Sequence, residues 1–406
     1  MLAGVKIAHE RRYSAMRMIR SVALGGLACF AVPVWAQQSE PEGLLSKIQD
    51  HVRESLARLP NYTCTELIQR LQSSNNPKNL PIEERFRVEV AYVDGGEFFG
   101  WPGTGKIDQP QIGKLVEGTI GDGYFALFSQ GIFATNATRF HYVGTVALAA
   151  KTAIQYDYSI PKEAKIYRIG TEVGQAWVGF HGSVWMENGS LDLMRITVAA
   201  DDPPQALGIV NATSMLDFEK AKVGSSEFTL PRAAELSMAV ATGYATKSLL
   251  SFESCHQFVG ESVLKFESSD PQPGQASAIK LEAAPVSLPD DFTVVIALNT
   301  PVDSESSATG DPVSALVVEP IRIKRSIIVP KGARLSGRIR HLTKSGDDYK
   351  LDLLFTDLQF DNKHADIDGR RNVLSYKEKP LFFHSEVRLG RGARLTWRSL
   401  LLKSVQ

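Results

Sequence analysis

Several stretches hold residue types that do chemistry elsewhere, and in each the spacing decides. Gly100-Trp101-Pro102-Gly103-Thr104-Gly105-Lys106 matches a phosphate-binding loop up to its lysine. The next position needs Ser or Thr to meet magnesium, and it is Ile107, with Pro110 where a helix would have to begin. The stretch reads as a turn-rich loop, with Trp101 placed to form the rim of a cavity. Ser159-Ile160-Pro161-Lys162 has the Ser-x-x-Lys spacing of penicillin-binding enzymes, a motif that needs a helix to bring Lys beside Ser. Pro161 biases Ile160 to extended conformations, and the partner Ser-Asp-Asn and Lys-Thr-Gly motifs are absent. His364-Ala365-Asp366-Ile367-Asp368-Gly369 begins like a calcium loop but opens on His and closes on Ser375, where a bidentate Glu is required. A polar turn is the simpler reading, with a casual calcium site through Asp361, Asp366 and Asp368 as the alternative. Asp201-Asp202 with His181 or His256 lacks any His-x-x-x-His or Cys-x-x-Cys spacing for a metal, and no Gly-x-Ser-x-Gly elbow occurs. The sequence assigns no catalytic residue, no metal set and no cofactor, which makes an enzyme the disfavoured class.

The chemistry it does assign is a crosslink, and this follows from compartment. Lys6, Arg11, Arg12, Arg17 and Arg20 stand against one acid, Glu10, in the first stretch. An apolar run from Ser21 to Ala36, broken by Pro33, ends in Val34-Trp35-Ala36 before Gln37-Gln38-Ser39. Basic, apolar and small residues in that order make a cleavable export signal over 1–36. The run is shorter than the roughly 20 apolar residues of a spanning helix. Two variants overlap it: a twin-arginine signal through Arg11-Arg12 and a lipoprotein cysteine at Cys29. Cleavage after Ala36 removes Cys29 and leaves Cys64 and Cys255, and two cysteines outside the cytoplasm pair.

The chain has 43% hydrophobic residues and no formal net charge, values of a globular protein rather than a disordered one. The charge is unevenly spread: residues 320–406 hold 19 Lys/Arg against 9 Asp/Glu. Outside the cytoplasm that surplus excludes nucleic acid as the expected partner. It leaves a solvated basic face, an anionic membrane surface or an acidic envelope protein.

These side chains must be positioned mainly by strands. Glu42–Leu59 has Leu44, Leu45, Ile48, Val52, Leu56 and Leu59 at helical spacing, with a capping box available from Ser39 to Glu42 and Pro60 as its stop. About ten alternating segments follow between Tyr62 and Glu267, punctuated by Asp94-Gly95-Gly96, Asn188-Gly189 and Asp202-Pro203-Pro204. One further helix, Tyr124–Ala134, is apolar almost all round, so it must be covered on most of its surface. Residues 269–285 hold Pro271, Pro273 and Gly274 among Ser and Gln and read as a linker. Beyond it, 286–406 is a second all-β unit. In it Lys331-Gly332-Ala333-Arg334-Leu335-Ser336 recurs as Arg391-Gly392-Ala393-Arg394-Leu395-Thr396. The expected fold class is mainly β with few helices. A curved antiparallel sheet over 37–268, an incomplete barrel, encloses helices, and a small β-barrel or sandwich follows.

Two resemblances agree with this division. The helix ending in Leu59-Pro60, Tyr62-Thr63-Cys64-Thr65-Glu66, Phe140-His141-Tyr142-Val143-Gly144, and Val184-Trp185-Met186 followed by Leu191-Asp192-Leu193-Met194-Arg195-Ile196 resemble the LolA/RseB group of periplasmic proteins, with Glu187 where Asp is usual. The resemblance implies an incomplete β-barrel with helices in its concave side, binding an acyl chain or a hydrophobic protein segment without chemistry. Gly310-Asp311-Pro312-Val313 and Ile327 to Gly337 resemble the β-domain of TrbI-type conjugation proteins, which implies a barrel module that docks on envelope proteins.

The reading that follows is an exported, non-enzymatic envelope protein, periplasmic or secreted. It holds an apolar ligand, lipid or lipoprotein acyl chain, against Phe125, Phe128, Ile132 and Phe133, with Trp101 at the rim. The rival is an assembly or scaffold protein whose two β units are both docking modules. Cleavage after Ala36 predicts that protein taken from its native envelope begins at Gln37. N-terminal sequencing checks this, and a lipid-modified Cys29 as first residue overturns it.

Overall fold

Alternation along the chain sets the strands, and two buried charges lengthen the first of them. In β1 (Tyr62–Ser74) the buried positions 62, 64, 66, 68 and 70 are Tyr, Cys, Glu, Ile and Arg. A sequence reading ends the strand at Gln69, before Arg70. The strand continues because Arg70 finds Glu84 across the ladder, with Nε at 3.0 Å and Nη2 at 2.6 Å from Oε2, and stacks on the Phe86 ring. The computed structural model describes residues 39–401 apart from 77, 122, 125–126, 172, 259–283, 286–287 and 368–369. The expected export signal, the expected strand at Ser262–Glu267, Phe125 and nearly all of the expected linker lie outside the described residues.

The first half adds β2 (Ile82–Val93), β3 (Gly96–Gly100), β4 (Arg139–Leu148), β5 (Lys151–Ile160), β6 (Tyr167–Thr171), β7 (Gly174–Glu187), β8 (Leu193–Asp201), β9 (Ile209–Val223), β10 (Ser226–Val240) and β11 (Tyr244–Gln257). All pair antiparallel, in the order β3-β2-β1-β11-β10-β9-β8-β7-β5-β4, and β6 shares one edge of β7 with β5. Among the described residues β3 and β4 do not meet, so the sheet stays open. Buried side chains from β1, β2, β5, β7, β8, β9, β10 and β11 join one cluster with both helices, so the sheet wraps around its core face.

Pairing of β1 with β11 brings the two ends of this half side by side. Thr63 lies opposite His256 and Thr65 opposite Glu253, so β11 carries an extra residue there, and Ser254 takes the left-handed conformation with φ +52°. Cys64 and Cys255 flank this bulge with Cα atoms 4.1 Å apart and form a disulfide.

The second half is a smaller sheet with its own core. Its strands run in the spatial order Arg370–Tyr376, Arg394–Leu401, Asp291–Leu298, Pro312–Val317, Arg334–Ser345, Asp348–Phe360. Trp397 sits at the centre, edge-on to Phe292 at 5.0 Å and near Phe355 at 5.9 Å. The sequence echo is a structural one. Pro330-Lys331-Gly332-Ala333 and Gly390-Arg391-Gly392-Ala393 are both turns with glycine at the third position, φ +88° and +83°. Gly332 N–H donates to Val317 O at 2.8 Å, and Gly392 N–H to Leu298 O at 2.7 Å, so each turn docks on the end of a neighbouring strand.

The two cores are joined through β2. Its Glu89–Val93 segment pairs with β3, whereas Ile82–Glu84 pairs with Thr343–Ser345 of the second half. Between them Arg87 N–H donates to Thr309 O at 2.8 Å and Thr309 N–H to Arg85 O at 2.9 Å. Arg87 also pairs with Asp311. Gly310, φ +100°, passes so close that a Cβ would stand 2.3 Å from Arg87 O and 2.5 Å from the Trp101 ring. An edge that would otherwise recruit foreign strands is thus covered from within the chain.

The Cys64–Cys255 bridge spans 191 positions, and constraint of so long a loop in the unfolded chain is worth at most about 5 kcal/mol. Cys64→Ser is expected to lower stability by about 2–4 kcal/mol, read as a shift in denaturant midpoint. No free thiol should titrate in the unreduced, denatured parent; two would contradict the bridge.

Candidate functional site

Both helices lie on the core face of the open sheet. α1 (Leu44–Ala57) buries Ile48 and Val52 and packs Leu44, Leu45 and Leu56 against the cluster. It starts after Gly43, which is left-handed at φ 67° with no side-chain cap. The capping box therefore does not form, and Glu40 instead accepts a 2.8 Å hydrogen bond from the Tyr156 hydroxyl. α2 (Leu127–Phe133) is shorter than its apolar run. Arg53 of α1 donates from Nε to Phe133 O at 3.1 Å, satisfying a terminal carbonyl of α2 and tying the helices together.

Of the residues expected to line a cavity, Phe125 lies outside the described residues. Phe128, Ile132 and Phe133 are buried in the core, with Phe128 against Tyr167 at 5.7 Å and Phe133 stacked on Phe140 at 5.7 Å. Ser129 is the one member of that helix that faces the cavity described next. Trp101 lies beside Gly310 at the junction of the halves, under the Arg338 guanidinium at 5.1 Å.

The cavity lies between the second half of α1 and β8–β10, with a volume of about 510 Å³. Val52, Leu56, Leu59, Leu193, Phe218 and Phe228 form its apolar wall. At its mouth His51 Nε2 is 3.0 Å from Asp192 Oδ1, and Lys220 Nζ is 3.0 Å from Asp192 Oδ2. Burial alone would raise the Asp192 carboxyl. Hydrogen bonds from Lys220, His51 and Ser190 outweigh it and hold the carboxyl below the usual carboxylate range. The same contact with Asp192 raises Lys220. Asp192 thus ties α1, through His51, to β9 through Lys220. Ser55 lines the cavity one turn beyond His51.

Sequence reasoning missed this site because its residues come from three distant segments. The signal that was available is the polar edge His51, Ser55, Arg58 running beside Val52 and Leu56 on α1.

The other chemical patterns resolve into local structure. Gly100–Lys106 is a tight loop after β3, where a Cβ on Gly100 would stand 2.1 Å from Lys106 O, and only a short 3-10 turn at Ile112–Lys114 follows. Ser159 is the penultimate residue of β5, and Lys162 opens a separate 3-10 turn. His181 Nδ1 pairs with Asp201 at 2.5 Å on the outer face, and His364 pairs with Asp357. Among the described residues no group of three or more His, Cys, Asp or Glu is arranged to hold a metal ion. Nor is any helix long and apolar enough to cross a membrane.

No family model and no curated protein matches the chain. Among solved structures about half of it is similar to a LolA superfamily protein from Nitrosomonas europaea, at 8% identity over 53% of this chain and 94% of that one, TM-score 0.29. It is similar to a DUF1329 family protein from Desulfovibrio piger at 12% identity over 54% and 95%, TM-score 0.26. It is similar to the Mycobacterium tuberculosis lipoprotein LppX at 12% identity over 53% and 98%, TM-score 0.20.

Because Asp192 is held below its unfolded value of about 3.9, its contribution is present above that pH and is lost as pH falls through the lower folded value. Asp192→Asn is expected to cost about 1 kcal/mol at neutral pH and progressively less towards pH ~3. Urea midpoints across that range check it, and a pH-independent difference would contradict it.

Proposed function

We propose that this is an exported envelope protein that binds rather than transforms its ligand, holding an apolar chain, lipid or lipoprotein acyl, in the cavity under α1. The observation that carries the reading is the cavity itself. About 510 Å³ lie open between a helix and an unclosed sheet, walled by Leu56, Leu59, Phe218 and Phe228, where a packed domain would fill the space with its own side chains. Each methylene brought there from water is worth about 0.8 kcal/mol, so affinity scales with chain length. Asp192, Lys220, Arg58 and Glu227 supply the charged part of the same lining. The resemblance to the LolA/RseB group points the same way, as does the export signal read in the sequence.

A docking role for both halves is the second reading, and one feature favours it. Leu71 and Leu249, 43% and 46% exposed, line a separate groove of about 280 Å³ beside Tyr349 and Lys344 at the junction of the halves. The basic surplus of the second half suits an anionic membrane or an acidic envelope protein at such a surface.

Mass spectrometry of solvent extracts from detergent-free protein separates the two. The carrier reading predicts a stoichiometric lipid in the parent and its loss in Phe228→Asp, with no loss in Leu249→Asp. No lipid in the parent, or equal retention in both variants, would favour docking.

A further inference from the structure

We propose that the occupant of the cavity is a single-chain amphiphile with an anionic head, a carboxylate or a phosphate, and that Arg58 and Lys220 hold that head at the mouth. The inference rests on the cavity reading above and adds the chemistry of the polar end. It comes from a count of hydrogen-bonding capacity. Both carboxylate oxygens of Asp192 are occupied, Oδ1 by His51 and Oδ2 by Lys220, each at 3.0 Å. Each of these oxygens thus already serves one donor, Glu227 is the carboxylate left open at the rim, and the donors of Lys220 and Arg58 remain in excess. Lys220 is half-exposed and keeps two further N–H groups after its bond to Asp192. Arg58 is exposed at the C-cap of α1, lines the cavity, and has no side-chain hydrogen bond or ion pair among the described residues. Its guanidinium offers a fork of donors shaped for a carboxylate or phosphate.

The apolar wall starts immediately inside this rim. Leu56 and Leu59 flank Arg58 in sequence, and Phe218 precedes Lys220 by one strand repeat, so each cation sits beside a hydrophobic group. A head held by Arg58 and Lys220 leaves its chain pointing along Leu56, Leu193, Phe218 and Phe228. A volume of about 510 Å³ lies in the lower half of the range for ligand pockets, about 300–1,000 Å³, which suits one chain rather than several. One carboxylate opposes the assignment: Glu227 also lines the rim, is exposed as Arg58 and Lys220 are, and acts on Lys220 as an opposite charge, which leaves Arg58 as the cation with no such partner. A cationic head would find Glu227 as its one open carboxylate and would meet Arg58 and Lys220 as like charges.

The test is isothermal titration of the full mature protein, delipidated, with four probes of equal chain length: dodecanoate, dodecyl phosphate, dodecanol and dodecyltrimethylammonium. Dodecanoate or dodecyl phosphate is expected to bind at least tenfold more tightly than dodecanol, and the tighter of the two assigns the head. Arg58→Gln is expected to bring the anionic probe within about twofold of dodecanol, with Lys220→Gln as the second variant, and high salt is expected to act in the same direction. Equal binding of the anionic and neutral probes, tighter binding of the ammonium, or a preference that survives both variants would overturn the head assignment while leaving the apolar cavity standing. Failure of all four probes to bind would overturn the cavity reading itself.

Discussion

The antiparallel pairing of β1 with β11 is the constraint on which the rest depends. It joins the start and the end of a half-chain, so the sheet must curl, and the Cys64–Cys255 bridge closes that pairing at the end where the ladder carries a bulge. Because the joined strands lie in the middle of the sheet rather than at its margins, β3 and β4 become the edges and the barrel stays open. A curled sheet with an apolar inner face cannot remain bare in water. α1 and α2 cover that face, bound to each other through Arg53 and the Phe133 carbonyl. α2 fills its share with Phe128, Ile132 and Phe133. α1 has a polar edge and does not, and the space left under its second half is the cavity.

Charge is handled in the same economical way. Arg70 is almost fully buried, a costly placement for an unpaired guanidinium, and is answered by Glu84, the Phe86 ring and the Glu117 carbonyl at 2.6 Å. That last contact pins the loop that leads to α2, so the ion pair shapes the helix layer as well as the β1–β2 ladder. On the other edge of β2, Arg85 and Arg87 reach carbonyls of Ser304, Glu305 and Ser306 and the Asp311 carboxylate. One strand therefore serves three neighbours in turn, and Gly310 is the residue small enough to let the second half approach it.

Much of this was legible from residue types. Period-two alternation marked nearly all the long strands, helical spacing marked α1, and two cysteines in a chain read as exported marked the bridge. The failures have physical causes. Ser39 and Glu42 looked like a cap, but Gly43 takes a left-handed conformation and breaks the geometry a capping box requires. β1 ran on past Gln69 because a buried charge had a partner two strand positions into β2, which local polarity does not reveal. The cavity depends on how β8–β10 curve past α1, so His51, Asp192, Lys220 and Phe228 share no sequence pattern. Trp101 had a partner that no local reading offers, a glycine more than two hundred residues away.

The account stands or falls on what occupies the space beneath α1. A crystal structure of the protein with ω-bromoundecanoate locates a chain directly through the anomalous signal of bromine. The account predicts a single bromine peak enclosed by Leu56, Leu193, Phe218 and Phe228, with the carboxylate towards Arg58 and Lys220. Bromine bound only outside that space, as in the groove beside Leu71 and Leu249, would contradict it.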